Sequence, residues 1–142
     1  FKVQVVAAKK GPDMQGVEWV VFPPDKIFGY ERIRVDGYSA NLATLEKAVA
    51  DIAYRPRLAS LNYAYAAITR CDMQKLAEYA RMMGKTTYKR VGYMAEKAGC
   101  PIEAETPPGG VSRLNPANAK RGKFDAKWGL YVNEVLKRAD QG

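Results

Sequence analysis

Residues 44–56, TLEKAVADIAYRP, carry a helix start, a helix stop and a helical period in one short run. The Thr44 hydroxyl can accept one of the N–H groups that a first helical turn leaves unpaired. Glu46 sits in that first turn, where the helix dipole favours negative charge. Pro56 ends the helix, because a proline pushes the residue before it out of the α region. Leu45, Ala48, Val49 and Ile52 recur at helical spacing and define an apolar face that would anchor a core. Glu46, Lys47, Asp51 and Tyr54 fall on the other side. Lys47 and Asp51 read there either as an exposed i,i+4 ion pair worth a few tenths of a kcal/mol, or as part of a partner-binding surface.

Outward from this helix, composition sets the bounds. A chain of 142 residues suits one domain with a real core. No apolar run is long enough to cross a bilayer and no signal peptide opens the chain, which predicts a cytoplasmic protein without a membrane partner. The chain begins at Phe1, directly in a strand pattern, so we expect a domain cut from a longer protein. A net charge of +8 keeps nucleic acid or an acidic partner open. Cys71 and Cys100 fall at predicted helix ends and read as two reduced thiols of an intracellular protein. There is no histidine, which removes the commonest general base and the commonest zinc ligand. Ser-His-Asp and Cys-His catalysis within the chain are thereby excluded. With no phosphate-cradling glycine loop either, we expect no enzyme, no cofactor and no metal site.

Before the helix the pattern is that of strands. Residues 1–8 are valine-rich and alternate loosely, and residues 17–22 are nearly continuous apolar. Turn chemistry fills 9–16, and Pro23-Pro24 ends the second strand. Residues 31–35 alternate cleanly, with Ile33 and Val35 on one face and Arg32 and Arg34 on the other. Asp36-Gly37 is the strongest short hairpin signal, since both turn positions need positive φ. Residues 38–41 return as the partner strand.

After Pro56 the chain turns helical. Ser60 caps a helix running to about Thr69, and Asp72 caps the next, with Met73, Leu76, Ala77 and Ala80 inward and Gly84 as its stop. A further helix starts at Thr86 or Thr87, ends at Gly99, and turns Val91, Met94, Ala95 and Ala98 inward. Opposite that stripe, Lys89, Arg90, Tyr93 and Lys97 cluster, bordered by Glu96. A basic face around an aromatic suits a phosphate backbone or an acidic partner; a solvated face with a half-buried tyrosine gives the same pattern. Residues 101–116 read as an ordered loop with an extended piece at 111–114. Residues 120–127 read as a basic loop whose Lys120, Arg121 and Lys123 join the candidate contacts. Residues 128–133 form a strand, and 134–142 a frayed helix. The sum is an α+β fold: a small, largely antiparallel sheet, built from the N-terminal strands plus a C-terminal strand, with about four helices on one side.

The order of these motifs resembles the C-terminal domain of AbiEi-family antitoxins. TLEKAVADIAYRP is similar to the helix that opens the helical half of that domain. DMQKLAEYARMMGKTTYKRVGYMAEKAG is similar to its next landmark, with the Tyr-Ala-Arg and Arg-x-Gly-Tyr-x-x-Glu patterns. The ending is similar too, in Leu114-Asn115-Pro116, the basic loop bearing Gly122, then Trp128 and Asn133. The resemblance spans roughly residues 34–133, and order and spacing carry it rather than any one piece. It implies an antitoxin of a type IV toxin–antitoxin system, linked to abortive phage infection and phage defence. In such proteins an N-terminal winged helix-turn-helix binds operator DNA. The C-terminal domain neutralises a nucleotidyltransferase-like toxin, directly or indirectly, and contributes to repression. No winged helix-turn-helix precedes Phe1, so operator reading would need the part absent here, assisted by basic faces. The matching positions are Glu46, Lys47, Asp51, Tyr79, Arg81, Arg90, Gly92, Tyr93, Glu96, Pro116, Trp128 and Asn133, most of them fold determinants first. Gly92 inside a helix costs up to about 1 kcal/mol against alanine, so close helix packing would require it.

Two other classes compete. One is a basic nucleic-acid-binding module without antitoxin role, supported by charge and the Tyr93 face. The other is a metal-dependent nuclease, suggested by Asp125-Ala126-Lys127, which echoes an acid-x-lysine ending but lacks paired carboxylates placed for Mg²⁺.

Overall fold

The computed structural model describes residues 2–137. Four strands come first: β1 (Val3–Ala7), β2 (Val17–Val21), β3 (Tyr30–Val35) and β4 (Tyr38–Ala43). Four helices follow: α1 (Leu45–Tyr54), α2 (Leu61–Ile68), α3 (Met73–Met83) and α4 (Lys85–Lys97). Three short strands, β5 (Ser112–Arg113), β6 (Lys123–Asp125) and β7 (Leu130–Val132), close the described chain. The fold is α+β, and local chemistry sets the helix boundaries. The Thr44 hydroxyl accepts the Lys47 N–H, Ser60 accepts from the Asn62 N–H, and the Asp72 carboxylate accepts from the Gln74 and Lys75 N–H groups. Gly84 alone separates α3 from α4, at φ 131°.

The strands do not join in one sheet. β3 and β4 form an antiparallel hairpin whose turn, Asp36 (φ 50°) and Gly37 (φ 81°), has both residues at positive φ, as a two-residue hairpin loop of the I′ kind requires. β1 and β2 pair in parallel, Val3 opposite Val17 and Ala7 opposite Val21. Residues 8–16 are therefore a crossover rather than a tight turn. They drape over Trp19, whose indole N–H donates to the Pro12 carbonyl at 2.9 Å. The third sheet has the order β5-β7-β6, parallel on one side of β7 and antiparallel on the other. After β7 the chain is irregular rather than helical up to Lys137: Leu136 inserts into the core and the Lys137 N–H donates to Asn62 Oδ1 at 2.8 Å. Residues 138–142, the rest of that expected helix, lie outside the described residues.

The larger core joins the four helices to Leu114, Trp128, Leu130 and Leu136. A smaller one holds Val20, Phe22, Ala50 and Met83. Helix α1 lies between them, packed on α2, α3 and α4, with Val49 and Ala53 in the first core and Ala50 in the second. This corrects the reading of its polar side. Leu45 is exposed, while Glu46, Lys47 and Asp51 are buried. The Lys47 ammonium bonds to the Asp51 carboxylate and donates to the Lys26 carbonyl at 2.8 Å, 4.6 Å above the Phe28 ring. The pair is neither an exposed ion pair nor a partner surface, because the second core covers the face that an amphipathic period assigns to solvent. Burial raises the Asp51 pKa, with Lys47 pulling against it.

Candidate functional site

Helix α4 divides its basic face between two jobs. Lys89 and Arg90 are buried at 3% and 7% exposure. Lys89 Nζ donates to the Gly110 carbonyl at 2.9 Å and to Ser112 Oγ at 3.0 Å. Arg90 donates from Nε to the Arg113 carbonyl and from one terminal nitrogen to the Ala53 carbonyl, each at 3.0 Å. Both cations thus bind β5 and the end of α1 to α4. Burial lowers both pKa values, with Arg90 beside Lys89 adding to its shift and Arg90 itself brought to about 10. Neither belongs to an open contact face, which corrects that expectation. A helical wheel shows which side these residues share, but not that residues 101–116 fold back across it.

Tyr93 and Lys97, one and two turns on, stay accessible. With Asn118, Arg121, Val132 and Glu134 they line a groove of about 530 Å³ between α4 and the β6–β7 hairpin. A smaller hollow of about 190 Å³, lined by Tyr93, Lys123, Phe124, Asp125 and Val132, continues it. Burial, with Asp125 nearby, pushes the Tyr93 hydroxyl pKa up, so it remains a neutral donor across the physiological range. Lys97, Lys120, Arg121 and Lys123 are all exposed. The Lys120 ammonium lies 5.0 Å from the Tyr131 ring centre, and Phe124 tilts against the same ring at 5.1 Å. Lys97, Arg121 and Lys123 thus gather with Tyr93 along the two hollows, which Phe124 also lines, while Tyr131, with Lys120 against its ring, projects from the other face of the β6–β7 pair. Phe124 and Tyr131 stand outside the basic face that the sequence pattern defines. Their signal is an aromatic directly after Lys123, opposite another across a short strand pair.

The remaining motif positions interlock the chain. Glu46 accepts the Asp72 N–H at 3.0 Å and pairs with Lys75. Tyr79 packs edge-on against Phe28. Arg81 donates to the Tyr88 hydroxyl at 3.0 Å. A Cβ on Gly92 would lie 2.1 Å from the Trp128 ring, so this glycine admits an indole from the β6–β7 turn rather than a second helix. Glu96 accepts the Trp128 indole N–H at 3.0 Å and pairs with Lys127. Pro116 follows Asn115 in a turn that Asn133 holds: Oδ1 accepts the Asn115 N–H at 2.9 Å and Nδ2 donates to the Asn115 carbonyl at 2.8 Å. Asp125 accepts the Trp128 N–H at 3.0 Å within the turn and Lys127 bonds to Glu96 on α4, so both polar ends of Asp125-Ala126-Lys127 are engaged. Cys71 and Cys100 are free and half-buried, and burial beside Glu46 raises the Cys71 thiol to about 12. Among the described residues no group of three or more His, Cys, Asp or Glu side chains is placed to hold a metal ion, and no helix is long and apolar enough to cross a membrane.

The chain matches no family model, no curated protein and no solved structure.

Proposed function

We propose that the chain is the C-terminal antitoxin domain of a type IV toxin–antitoxin system, acting in the cytoplasm by binding rather than catalysis. It neutralises a nucleotidyltransferase-like toxin and assists repression at operator DNA. The observation that carries this reading is convergence. Three separated pieces resemble the AbiEi family, and they meet in space through the residues on which the resemblance rests: Glu46 on Asp72, Arg90 on Ala53, and Gly92 and Glu96 on Trp128.

The contact surface in this reading is the Tyr93–Lys97–Arg121–Lys123 strip, with Lys89 and Arg90 behind it as supports. Co-expression tests it. The wild-type chain should rescue cells from the nucleotidyltransferase-like product of the neighbouring reading frame. A folded K97A/R121A/K123A variant should rescue poorly. Full rescue by that variant removes the strip from the mechanism.

A second reading, a basic module that binds nucleic acid alone, draws on the same strip, because aromatics between cations suit stacked bases beside a phosphate chain. Single-strand binding that the triple variant loses, with no rescue by the wild type, would favour it.

A further inference from the structure

The β3–β4 hairpin stands apart from both cores. It forms its own two-stranded sheet, and its residues from Asp36 to Leu42 are exposed. Register sorts its side chains. Arg32 faces Asn41 and Arg34 faces Ser39 on one side; Glu31 faces Leu42 and Ile33 faces Ala40 on the other. The polar side therefore carries two arginines, an asparagine and a serine, while Glu31 projects from the opposite side and Asp36 sits in the turn. Lys47, Lys89 and Arg90 are all engaged inside the fold. Arg32 and Arg34, by contrast, hold no ion pair or side-chain hydrogen bond among the described residues.

We propose that this ribbon reads duplex DNA by laying its Arg32, Arg34, Ser39 and Asn41 face in the major groove. Two strands about 4.8 Å apart, with their side chains, fit a groove about 12 Å wide. The donor set matches the floor of that groove: arginine is bidentate to guanine O6 and N7, asparagine to adenine N6 and N7, and serine bonds either. The positive-φ turn at Asp36-Gly37 pre-forms the hairpin, whereas isolated two-stranded ribbons are only marginally stable. The net charge of +8 supplies non-specific attraction to phosphates. The inference rests on the DNA half of the proposed function and is independent of toxin neutralisation.

Fluorescence anisotropy tests it, on a mixed-sequence duplex of about 20 base pairs, two helical turns. The wild-type chain should bind. R32A/R34A should bind at least ~30-fold more weakly, each guanine contact being worth a factor of several or more. Circular dichroism should show unchanged melting, because both side chains are exposed. Replacing the guanines by 7-deazaguanine, which lacks N7, should weaken the wild type and leave R32A/R34A unaffected. Duplex RNA of the same sequence, whose deep major groove excludes a ribbon, should not reproduce the arginine-dependent binding. DNA binding by R32A/R34A equal to wild type overturns the ribbon and leaves the DNA reading standing. No duplex binding by the wild type overturns both. Sedimentation that reveals a dimer lost in Y38S/L42S, with DNA binding unaffected by R32A/R34A, assigns the ribbon to a second copy of the chain and refutes the proposal.

Discussion

Replacing Gly92 by alanine pits a local gain against a tertiary loss, and the structure decides the sign. In a helix interior the added methyl is worth about 1 kcal/mol of stability. Here the same methyl would lie 2.1 Å from two carbons of the Trp128 ring. Trp128 cannot yield cheaply. It is 1% exposed, packs at the centre of the larger core and donates its indole N–H to Glu96. Overpacking costs about 1–3 kcal/mol. Displacing the indole also strains a hydrogen bond to a charged acceptor, worth about 1.5–3 kcal/mol when intact. The net expectation is a loss of about 1–3 kcal/mol, or a melting point lower by about 3–10 °C. Thermal unfolding by circular dichroism measures this, and tryptophan emission in a W19F background should shift to the red as the Trp128 indole loosens. The decisive control is W128L, which vacates the space: there Gly92→Ala should become neutral or stabilising. G92A as stable as wild type, with unshifted emission, would refute the packing role assigned to this glycine.

Three further outcomes follow from the buried contacts. Lys47→Met should cost about 3–5 kcal/mol by leaving the Asp51 carboxylate buried without its cation, while K47M/D51L should regain most of that, as denaturant titrations would show. Glu96 has its pKa lowered, first by the hydrogen bond from Lys127 and then by that from Trp128. A lowered carboxylate adds stability above its ordinary range and loses it as pH falls through the folded value, so the wild-type melting point should drop between about pH 5 and pH 3 more steeply than that of E96Q. Equal slopes would contradict the assignment. Lys89→Ala should destabilise the fold, because the Gly110 carbonyl and Ser112 hydroxyl lose their donor, whereas Lys97→Ala should melt like wild type; equal melting of the two would contradict the division of α4 into supporting and accessible cations.

What was legible in the sequence is what is decided within a few residues. Thr44, Ser60 and Asp72 cap their helices from inside the motif, and Asp36-Gly37 sets its hairpin without outside help. What escaped depends on partners far along the chain. The parallel pairing of β1 with β2 depends on a crossover held by Trp19. Helix α1 has a clear amphipathic period, yet a second core covers its polar side, so Lys47 is buried where the period predicts water. Lys89 and Arg90 look like Lys97 on a wheel and differ only in what lies above them. The accessible half of the strip was legible as charge at Lys97, Lys120, Arg121 and Lys123. Tyr93 was legible with them, whereas Phe124 meets Tyr131 only through the pairing of β6 with β7.

The central proposal is antitoxin action, and the viable count of cells expressing the product of the neighbouring reading frame, a nucleotidyltransferase-like toxin on this proposal, tests it most directly. With this chain co-expressed, the count should return to that of cells without the protein; without the chain it should fall. A count that stays low while the chain is folded and abundant would contradict the account.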